Sequence, residues 1–199
     1  MIKFIQSLFY KIFRSERNKI YMERDEIKLS MRVLKNDLSE EYRNKLADDV
    51  FSKIENLKEF KNSKTILFFW SKDLDIPTQN YILKWSEKKE ILLPSIKHNK
   101  LNVKQFVKFH ETSKQNSFIF EPITTPFEGD IDLAIIPSIA FDSEKHRMGH
   151  GKGYYDNFLK FKKTYTIGVG YDFQVIENIP HYWRDLKLNL IITPRKIIS

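Results

Sequence analysis

The chain has 199 residues, of which 41% are hydrophobic and 30% are charged, and its formal net charge at pH 7 is +8. A chain of this length and apolar content supports a single domain with a sizeable core. It contains no cysteine, which excludes disulfides, thiolate metal sites and a cysteine nucleophile, and it has no run of about 18 apolar residues that would span a membrane.

The first 22 residues differ from the rest of the chain. Apolar side chains recur near helical spacing from Ile2 to Phe13, four basic residues occur by Arg17, and no acidic residue precedes Glu16. We predict a basic amphipathic extension over 1–22 and one domain over 23–199. The extension is a mitochondrial or plastid targeting segment, a helix packed on the domain, or a poorly ordered tail. We expect a cytoplasmic protein, with an organelle as the alternative.

A long helix is predicted to begin after Ser39, which is a favourable N-cap residue and is followed by two glutamates. Apolar residues then recur at helical spacing from Leu46 to Phe60. This spacing predicts a helix with one buried face.

Short apolar runs follow, and they alternate with segments of helical character. Several of these runs are apolar throughout, as strands of a parallel sheet that is covered on both faces should be. The predicted strands span 66–70, 91–93, 133–136, 166–169 and 190–192, and the predicted helices span 78–88 and 154–162. The alternation of strands and helices predicts an α/β layer fold.

The segment 141–156, FDSEKHRMGHGKGYYD, combines a basic side chain, three glycines and an acid in one loop. Because its glycines alternate with His150 and Lys152, the backbone can take a positive φ or approach a ligand closely at every second position. Successive N–H groups in such a segment form an anion nest. Arg147 adds a forked donor for phosphate, Lys152 adds a point charge, and Asp156 adds a carboxylate for a divalent metal. We therefore predict a nucleotide triphosphate site.

Two common nucleotide loops do not fit this segment. A Walker A loop requires a hydroxyl residue where Gly153 follows Lys152. A dinucleotide fingerprint requires G-x-G-x-x-G directly after a strand, whereas this spacing is G-x-G-x-G and lies well beyond the apolar run that ends at Pro137. The alternative to a phosphate loop is a flexible surface hairpin with solvated charges.

Zinc binding by the His146–His150 pair of this loop is disfavoured. His146 and His150 are four residues apart, but the residues between them lack the glutamate of H-E-x-x-H and include a glycine that weakens a helix. His98, His110 and His181 have no partner that the sequence reveals.

The stretch 131–159, IDLAIIPSIAFDSEKHRMGHGKGYYDNFL, resembles the signature of the 5-formyltetrahydrofolate cyclo-ligase family. The family pattern is D-L-hydrophobic-P-x-x-A-F-D followed by R-x-G-x-G-x-G-Y-Y-D-x-x-L. Weaker matches extend the resemblance from about Arg24 to the C-terminus. They are Asp75-Ile76-Pro77-Thr78, Leu93-Pro94, Glu121-Pro122, Phe173-Gln174 and Trp183-Arg184-Asp185.

The resemblance implies a single-domain, open Rossmann-like three-layer α/β/α fold with a mostly parallel sheet. Ligands collect outside the carboxyl ends of the strands in such sheets. It also implies ATP- and Mg²⁺-dependent conversion of 5-formyltetrahydrofolate to 5,10-methenyltetrahydrofolate, with release of ADP and phosphate. The substrate that the resemblance implies includes polyglutamylated forms. In that reaction the formyl oxygen is phosphorylated before the ring closes. The protein would position the reactants and neutralise charge.

Site residues follow from the same resemblance. The ATP contacts fall on Arg24, Asp25, Glu26, Ile27 and Lys28 and on the loop Arg147, Met148, Gly149, His150, Gly151, Lys152, Gly153, Tyr154 and Tyr155. The folate contacts fall on Lys28, Trp70, Asp75, His150, Gly151, Lys152, Gly153 and Tyr154, where Trp70 would be an aromatic wall for the pterin. The catalytic residues are Arg147, Lys152 and Tyr154, and the metal ligands are Asp156 and Asp185.

Two departures from the family pattern are visible. The family's K-x-x-L-R has its basic residues exchanged here, because Arg24 and Lys28 stand at the two positions. Arginine and lysine differ in bidentate geometry, so the hydrogen bonds to the ligand must differ. Asp75 stands where the family usually has glutamate, and its carboxylate is one methylene shorter.

Other classes of function remain open. A non-catalytic nucleotide- or RNA-binding module would use the net positive charge and the 16 Phe and 9 Tyr as stacking platforms. However, no stretch of five basic residues and no RNA-recognition string occurs, so we expect no nucleic-acid partner. A small-molecule kinase could use the same loop on another acceptor. We expect a monomer that binds a small-molecule substrate and no membrane.

Overall fold

A computed structural model describes residues 20, 22–72, 74–107, 125–181 and 185–199. Most of the predicted extension over 1–22, the Glu121-Pro122 match, and Trp183 and Arg184 lie outside these residues. In the described part of the chain, no helix combines the length and the apolar character that a membrane crossing needs.

The centre of the molecule is a seven-stranded sheet with the order β3-β2-β1-β4-β7-β8-β9. A separate two-stranded hairpin pairs β5 with β6. The strands are β1 (Thr65–Leu67), β2 (Glu90–Lys97), β3 (Lys100–Gln105), β4 (Leu133–Pro137), β5 (Ala140–Phe141), β6 (Arg147–Met148), β7 (Tyr165–Val169), β8 (Leu190–Ile192) and β9 (Ile197–Ile198).

The inner strands of the sheet run parallel, from β2 through β1, β4 and β7 to β8, and the outer strands β3 and β9 are antiparallel. The chain order reverses between β1 and β4, because β1 continues to β2 on one side and the chain later returns to the other side as β4. A crevice at such a reversal, outside the carboxyl ends of the strands, is where ligands bind in open α/β sheets. The segments that follow β1 and β4 therefore define the expected site.

The helices are α1 over 22–36, α2 (Glu40–Asn56), α3 (Lys58–Asn62), α4 (Gln79–Trp85) and α5 (Tyr154–Leu159). The predicted start of α2 is confirmed, because the Tyr42 N–H donates to Ser39 Oγ at 3.2 Å. The prediction of one helix continuing to Phe60 is wrong. Leu57 has an extended ψ of 142° and separates α2 from α3, although Phe60 is buried as expected.

Helices cover both faces of the sheet. Neighbouring residues of each strand point to opposite cores: Ile66 packs with α2, α3 and α4, whereas Leu67 packs in a second core that includes Leu159 of α5. A third cluster joins Met31 of α1 to Met148 of the hairpin. The predicted three-layer α/β fold is confirmed.

All five predicted strands are present, but their lengths differ from the predictions. The strand predicted over 66–70 ends at Leu67. Beyond it, hydrogen bonds to the Thr78 side chain replace those between strands, because Thr78 Oγ1 donates to Phe69 O at 2.7 Å and accepts from Ser71 N at 3.0 Å. The strand predicted over 91–93 is the eight-residue β2, which continues into a hairpin with β3. The turn of that hairpin has positive φ at His98 (51°) and Asn99 (58°), as in tight hairpin turns.

Four strands were not predicted: β3, β5, β6 and β9. Three of them have no apolar run, because β5 and β6 are two residues long and β3 alternates polar with apolar residues. The predicted helices over 78–88 and 154–162 are confirmed with shorter spans, as α4 and α5.

Candidate functional site

The loop that carries the glycines begins with a hairpin fixed at the carboxyl end of β4. Ser138 Oγ, which is buried, donates to Ala140 O or Met148 O, at 3.0 and 2.9 Å respectively. The Ile139 N–H donates to Met148 O at 2.8 Å. Gln174, in the turn after β7, holds the same segment from the other side, because Nε2 donates to Ser138 O at 2.7 Å and to Ile139 O at 2.9 Å.

An aromatic ring of the hairpin also packs against the sheet. Phe141 lies so close to β7 that a Cβ added to Gly168 would be 2.5 Å from its ring, and one added to Gly170 would be 2.9 Å from it. Glycine at both positions is therefore required for the hairpin to sit against the sheet.

Arg147 is buried at the base of the loop, with 4% of its surface exposed. Its Nη2 donates to Asp156 Oδ1 at 2.8 Å, and its guanidinium carbon lies 5.5 Å from the centre of the Tyr155 ring. A Cβ on Gly149 would lie 3.1 Å from Nη1, so the glycine allows the guanidinium to lie against the backbone. Within the described residues, no hydrogen-bond partner reaches the buried Arg147 Nε. A buried donor without a partner is uncommon, and an anion would satisfy it.

The glycine segment rises from this arginine into solvent. Gly151 has a φ of +100° and Gly153 a φ of +63°, and a Cβ at Gly151 would meet nothing within 4 Å. The requirement for glycine at 151 is therefore conformational, since there is room for a side chain. His150 and Lys152 are exposed, and Lys152 Nζ lies 5.8 Å from the centre of the Tyr154 ring. The Tyr154 hydroxyl donates to Asn99 Oδ1 at 2.8 Å, which ties the loop to the β2–β3 turn.

The two predicted metal ligands lie on segments that contact each other, and each carboxylate pairs with an arginine. Asp156 Oδ1 accepts from Arg147 and also from Leu186 N at 3.1 Å, which brings the neighbouring Asp185 to this site. Asp185 Oδ2 lies 3.8 Å from Arg24 Nη1, and the same arginine nitrogen donates to Pro180 O at 2.7 Å. Arg24 is buried, so α1 contributes a fixed guanidinium to the same region.

The other four residues predicted on α1 have different surroundings. Lys28 donates to Asp25 Oδ1 at 2.8 Å on the accessible side of the helix, and Glu26 is exposed. Ile27 packs against the cluster that contains Met31. Arg24 is therefore the member of this set with a contact to the predicted metal ligands.

Asp75 lies after β1 and is held by α1, because Lys35 Nζ donates to Asp75 Oδ1 at 2.8 Å. Burial raises the pKa of the Tyr155 phenol well above its ordinary value; the Arg147 charge opposes this rise and the Asp75 carboxylate adds to it. Asp75 is thus within electrostatic reach of the glycine loop. Trp70 is partly exposed nearby in the chain, with its ring 6.3 Å from that of Phe106.

Lys35, Asn99 and Gln174 were not predicted as site residues from the sequence. A signal for Lys35 existed, because Arg24, Met31 and Lys35 are buried and are separated by seven and four residues, the spacing of one helix face. Asn99 acts through a contact between distant parts of the chain, for which the sequence offers no local signal. Gln174 was part of the Phe173-Gln174 match to the family pattern, but that match gave no role for its side chain.

The fold and the site together define an open α/β protein with a buried arginine and a glycine loop beside its chain reversal. A family model described as the 5-formyltetrahydrofolate cyclo-ligase family matches residues 20–194. The chain therefore belongs to the 5-formyltetrahydrofolate cyclo-ligase family.

Individual relatives agree with this assignment. A 5-formyltetrahydrofolate cyclo-ligase of Haemophilus influenzae is 27% identical over 173 residues, which cover 81% of this chain and 92% of that protein. The structure of 5,10-methenyltetrahydrofolate synthetase from Aquifex aeolicus superposes with a TM-score of 0.70 at 29% identity, covering 87% of this chain and 91% of that one. A Mycoplasma genitalium 5-formyltetrahydrofolate cyclo-ligase is 49% identical, but the match covers 32% of this chain and 39% of that protein.

Proposed function

We propose that this protein uses ATP to convert 5-formyltetrahydrofolate to 5,10-methenyltetrahydrofolate, releasing ADP and phosphate. The observation that carries the proposal is the buried Arg147, whose Nε has no partner among the described residues and whose guanidinium lies against the backbone of a glycine loop. An oxyanion with several acceptor oxygens suits this donor. In the proposed reaction, that oxyanion is the terminal phosphate of ATP.

The loop would stabilise the phosphate that is transferred. Arg147 is held by Asp156 and Tyr155, so it loses little conformational entropy when it binds. Lys152 is free to follow the phosphates because its side chain is exposed. Gly151 and Gly153 have positive φ values, which occur in backbone nests, so the N–H groups of this segment would face the phosphates. Positioning and neutralisation of charge are the main requirements of phosphoryl transfer.

Asp156 suits Mg²⁺ because it offers a carboxylate oxygen and because that oxygen faces the glycine loop. Its Oδ1 is bonded to Arg147, whereas Oδ2 lies 3.9 Å from the position of a Cβ on Gly153 and so faces the loop. Magnesium sites of nucleotide enzymes use one or two carboxylates together with phosphate oxygens, and the ion would neutralise charge on those oxygens. We propose Asp156 as the principal ligand, with Asp185 beside it.

The folate would bind on the side of Asp75. The Lys35–Asp75 pair fixes a carboxylate that can accept hydrogen bonds from the N–H groups of a pterin. Trp70 offers a partly exposed ring, and His150 and Tyr154 border the loop between the two reactants.

The proposed reaction has two steps. The formyl oxygen attacks the γ-phosphorus and ADP leaves, which turns the formyl oxygen into a good leaving group. The N10 lone pair then attacks the formyl carbon, and N10 loses its proton. The bond between the formyl carbon and its oxygen breaks, and phosphate leaves with the electron pair of that bond. The residues named above orient the two reactants and bear none of the covalent changes themselves.

The direct test is turnover by the purified full-length chain with (6S)-5-formyltetrahydrofolate and MgATP. We expect the near-ultraviolet absorption of the methenyl product to appear only with ATP, and ADP to form in equal amount. ADP formation without the methenyl product would instead favour a kinase that uses another acceptor. RNA binding that weakens steeply with salt, without turnover, would favour a binding module.

The folate side can be tested separately with Asp75→Asn. We expect KM for 5-formyltetrahydrofolate to rise about 10- to 100-fold, because hydrogen bonds to a charged group are worth about 1.5–3 kcal/mol. KM for ATP should change little. The matched control is Lys84→Ala, which removes an exposed pair with Glu55 at 2.7 Å. Unchanged folate KM in Asp75→Asn would exclude Asp75 from the folate site.

A further inference from the structure

Two histidines and one aspartate that the proposed reaction does not use meet beside the hairpin. Asp142 and His146 lie in the turn between β5 and β6, and His181 follows in a separate segment of the chain. One ligand atom from each lies within 4.8 Å of the others. The three differ in burial, from the buried Asp142 to the exposed His181.

The two imidazole rings lie face to face. The rings of His146 and His181 stack with their centres 3.9 Å apart and 10° between their planes. His181 Nδ1 lies 3.2 Å from the Ile179 carbonyl oxygen, which fixes the proton on Nδ1 and leaves the Nε2 lone pair available. A backbone carbonyl behind the ring is the usual support of a histidine that binds a metal ion.

The distances suit a small ion. His146 Nδ1 lies 3.1 Å from Asp142 Oδ2. Two ligand atoms about 2.0–2.1 Å from one ion, at angles between square and tetrahedral, are about 2.9–3.4 Å apart. This pair therefore already has the separation of two ligands. His181 needs to move inwards by about one to two ångströms, which is the difference between those ligand separations and the 4.8 Å spread of the cluster. Its ring must also turn out of the stack, because the in-plane lone pairs of two parallel rings do not converge on one ion. The exposed side chain of His181 has room for both movements.

Asp142 gives a charge argument for the ion. Its carboxylate is buried, and in the described part of the chain its partners are the His146 N–H at 3.0 Å and the His146 ring. No arginine or lysine neutralises it there. A buried carboxylate without a fixed cation is costly, and a divalent ion would offset that cost.

We propose that Asp142, His146 and His181 form a transition-metal site, distinct from the magnesium of the nucleotide. Two imidazoles and one carboxylate select borderline ions such as Zn²⁺ or Co²⁺ over Mg²⁺, which prefers oxygen ligands. Further ligands would be water. The site does not depend on the proposed reaction, because it contains none of the residues assigned to ATP or folate.

A bound ion would join two segments of the nucleotide site. One of them contains Arg147, and the other accepts a hydrogen bond from Arg24. His146 precedes Arg147 in the chain, and His181 follows Pro180, whose carbonyl accepts from Arg24. The ion would therefore restrain the relative positions of Arg147 and Arg24. Occupancy of the site should also stabilise the folded protein, since the three ligands are brought together only by folding.

The test uses the full-length chain, stripped of metal by a chelator and titrated with Co²⁺ and Zn²⁺ in the absence of ATP and folate. We expect about one equivalent of Co²⁺ with visible d–d absorption, displaced by Zn²⁺, and a rise in the unfolding temperature. His181→Ala and His146→Gln should each weaken binding at least about tenfold, the loss that even a partner behind a ligand causes.

The control is His98→Asn, because His98 lies in a turn at a φ of 51° that asparagine also accepts. It should bind Co²⁺ as the unaltered chain does. Absence of d–d absorption, or equal uptake by all variants, would overturn the proposal. If His146→Gln does not fold, as judged by circular dichroism without metal, His181→Ala decides the outcome, because its side chain is exposed.

Discussion

Arg147→Ala is expected to lower kcat by roughly 10³-fold, a loss typical of an arginine that neutralises a phosphoryl group during transfer. The structural reason is that the arginine is buried and held by Asp156 at 2.8 Å, so no other side chain can take its place without rearrangement. Lysine should rescue little, because a point charge cannot bond to Asp156 and to a phosphate with the planar geometry of a guanidinium. The measurement is steady-state turnover of 5-formyltetrahydrofolate at saturating MgATP.

The matched control for this variant is Arg195→Ala. Arg195 is an exposed arginine that also faces an aspartate, with Nε 3.7 Å from Asp172 Oδ2. We expect its kcat to stay unchanged. Removal of Arg147 leaves Asp156 without its cation. Thermal unfolding of Arg147→Ala, compared with that of the double change Arg147→Ala with Asp156→Asn, therefore shows whether the unpaired carboxylate destabilises the fold. A folded Arg147→Ala protein with ordinary kcat would show that Arg147 does not contact the transferred phosphate.

Gln174→Ala is expected to destabilise the fold by about 3 kcal/mol or more. Its side chain is buried and satisfies three backbone groups: it donates to Ser138 O and Ile139 O and accepts from Tyr171 N at 2.8 Å. Each buried group that loses its partner costs about 1–3 kcal/mol. In a chain of this length, that change lowers the unfolding temperature by roughly 6–12 °C.

Thermal or urea unfolding of the purified variants measures this effect. Gln174→Glu is informative beside it, because it keeps an acceptor for Tyr171 but loses both donated bonds. Gln105→Ala serves as the control, since Gln105 is exposed at the end of β3 and should change stability little. If Gln174→Ala unfolds with the same midpoint as Gln105→Ala, the contacts of Gln174 do not hold the hairpin to the turn after β7.

Features with a short local pattern could be predicted from the sequence. The apolar runs at 66–70, 133–136 and 190–192 indicated strands buried on both faces, and all three lie in the parallel part of the sheet. The glycine loop was recognisable because its residue types follow one another directly in the chain. The Ser39 N-cap predicted the start of α2 for the same reason.

Features that depend on distant contacts could not be predicted. The Lys35–Asp75 pair joins α1 to the segment after β1, and His181 meets His146 only because the chain returns to the hairpin after β7. The break at Leu57 was also not visible, because its apolar side chain continues the helical pattern while the backbone leaves it. In each case tertiary packing decides between local alternatives that the sequence leaves open.

Glycine at 168 and 170 has a consequence for the pattern of mutations that this family member can tolerate. Neither residue has a side chain that could take part in the reaction. A methyl group at 168 would nevertheless collide with the Phe141 ring and with Leu188. A saturation scan would therefore find inactivating positions inside a strand as well as at the loop. At those positions loss of activity would arise from a displaced hairpin, and activity and thermal stability would fall together across the substitutions.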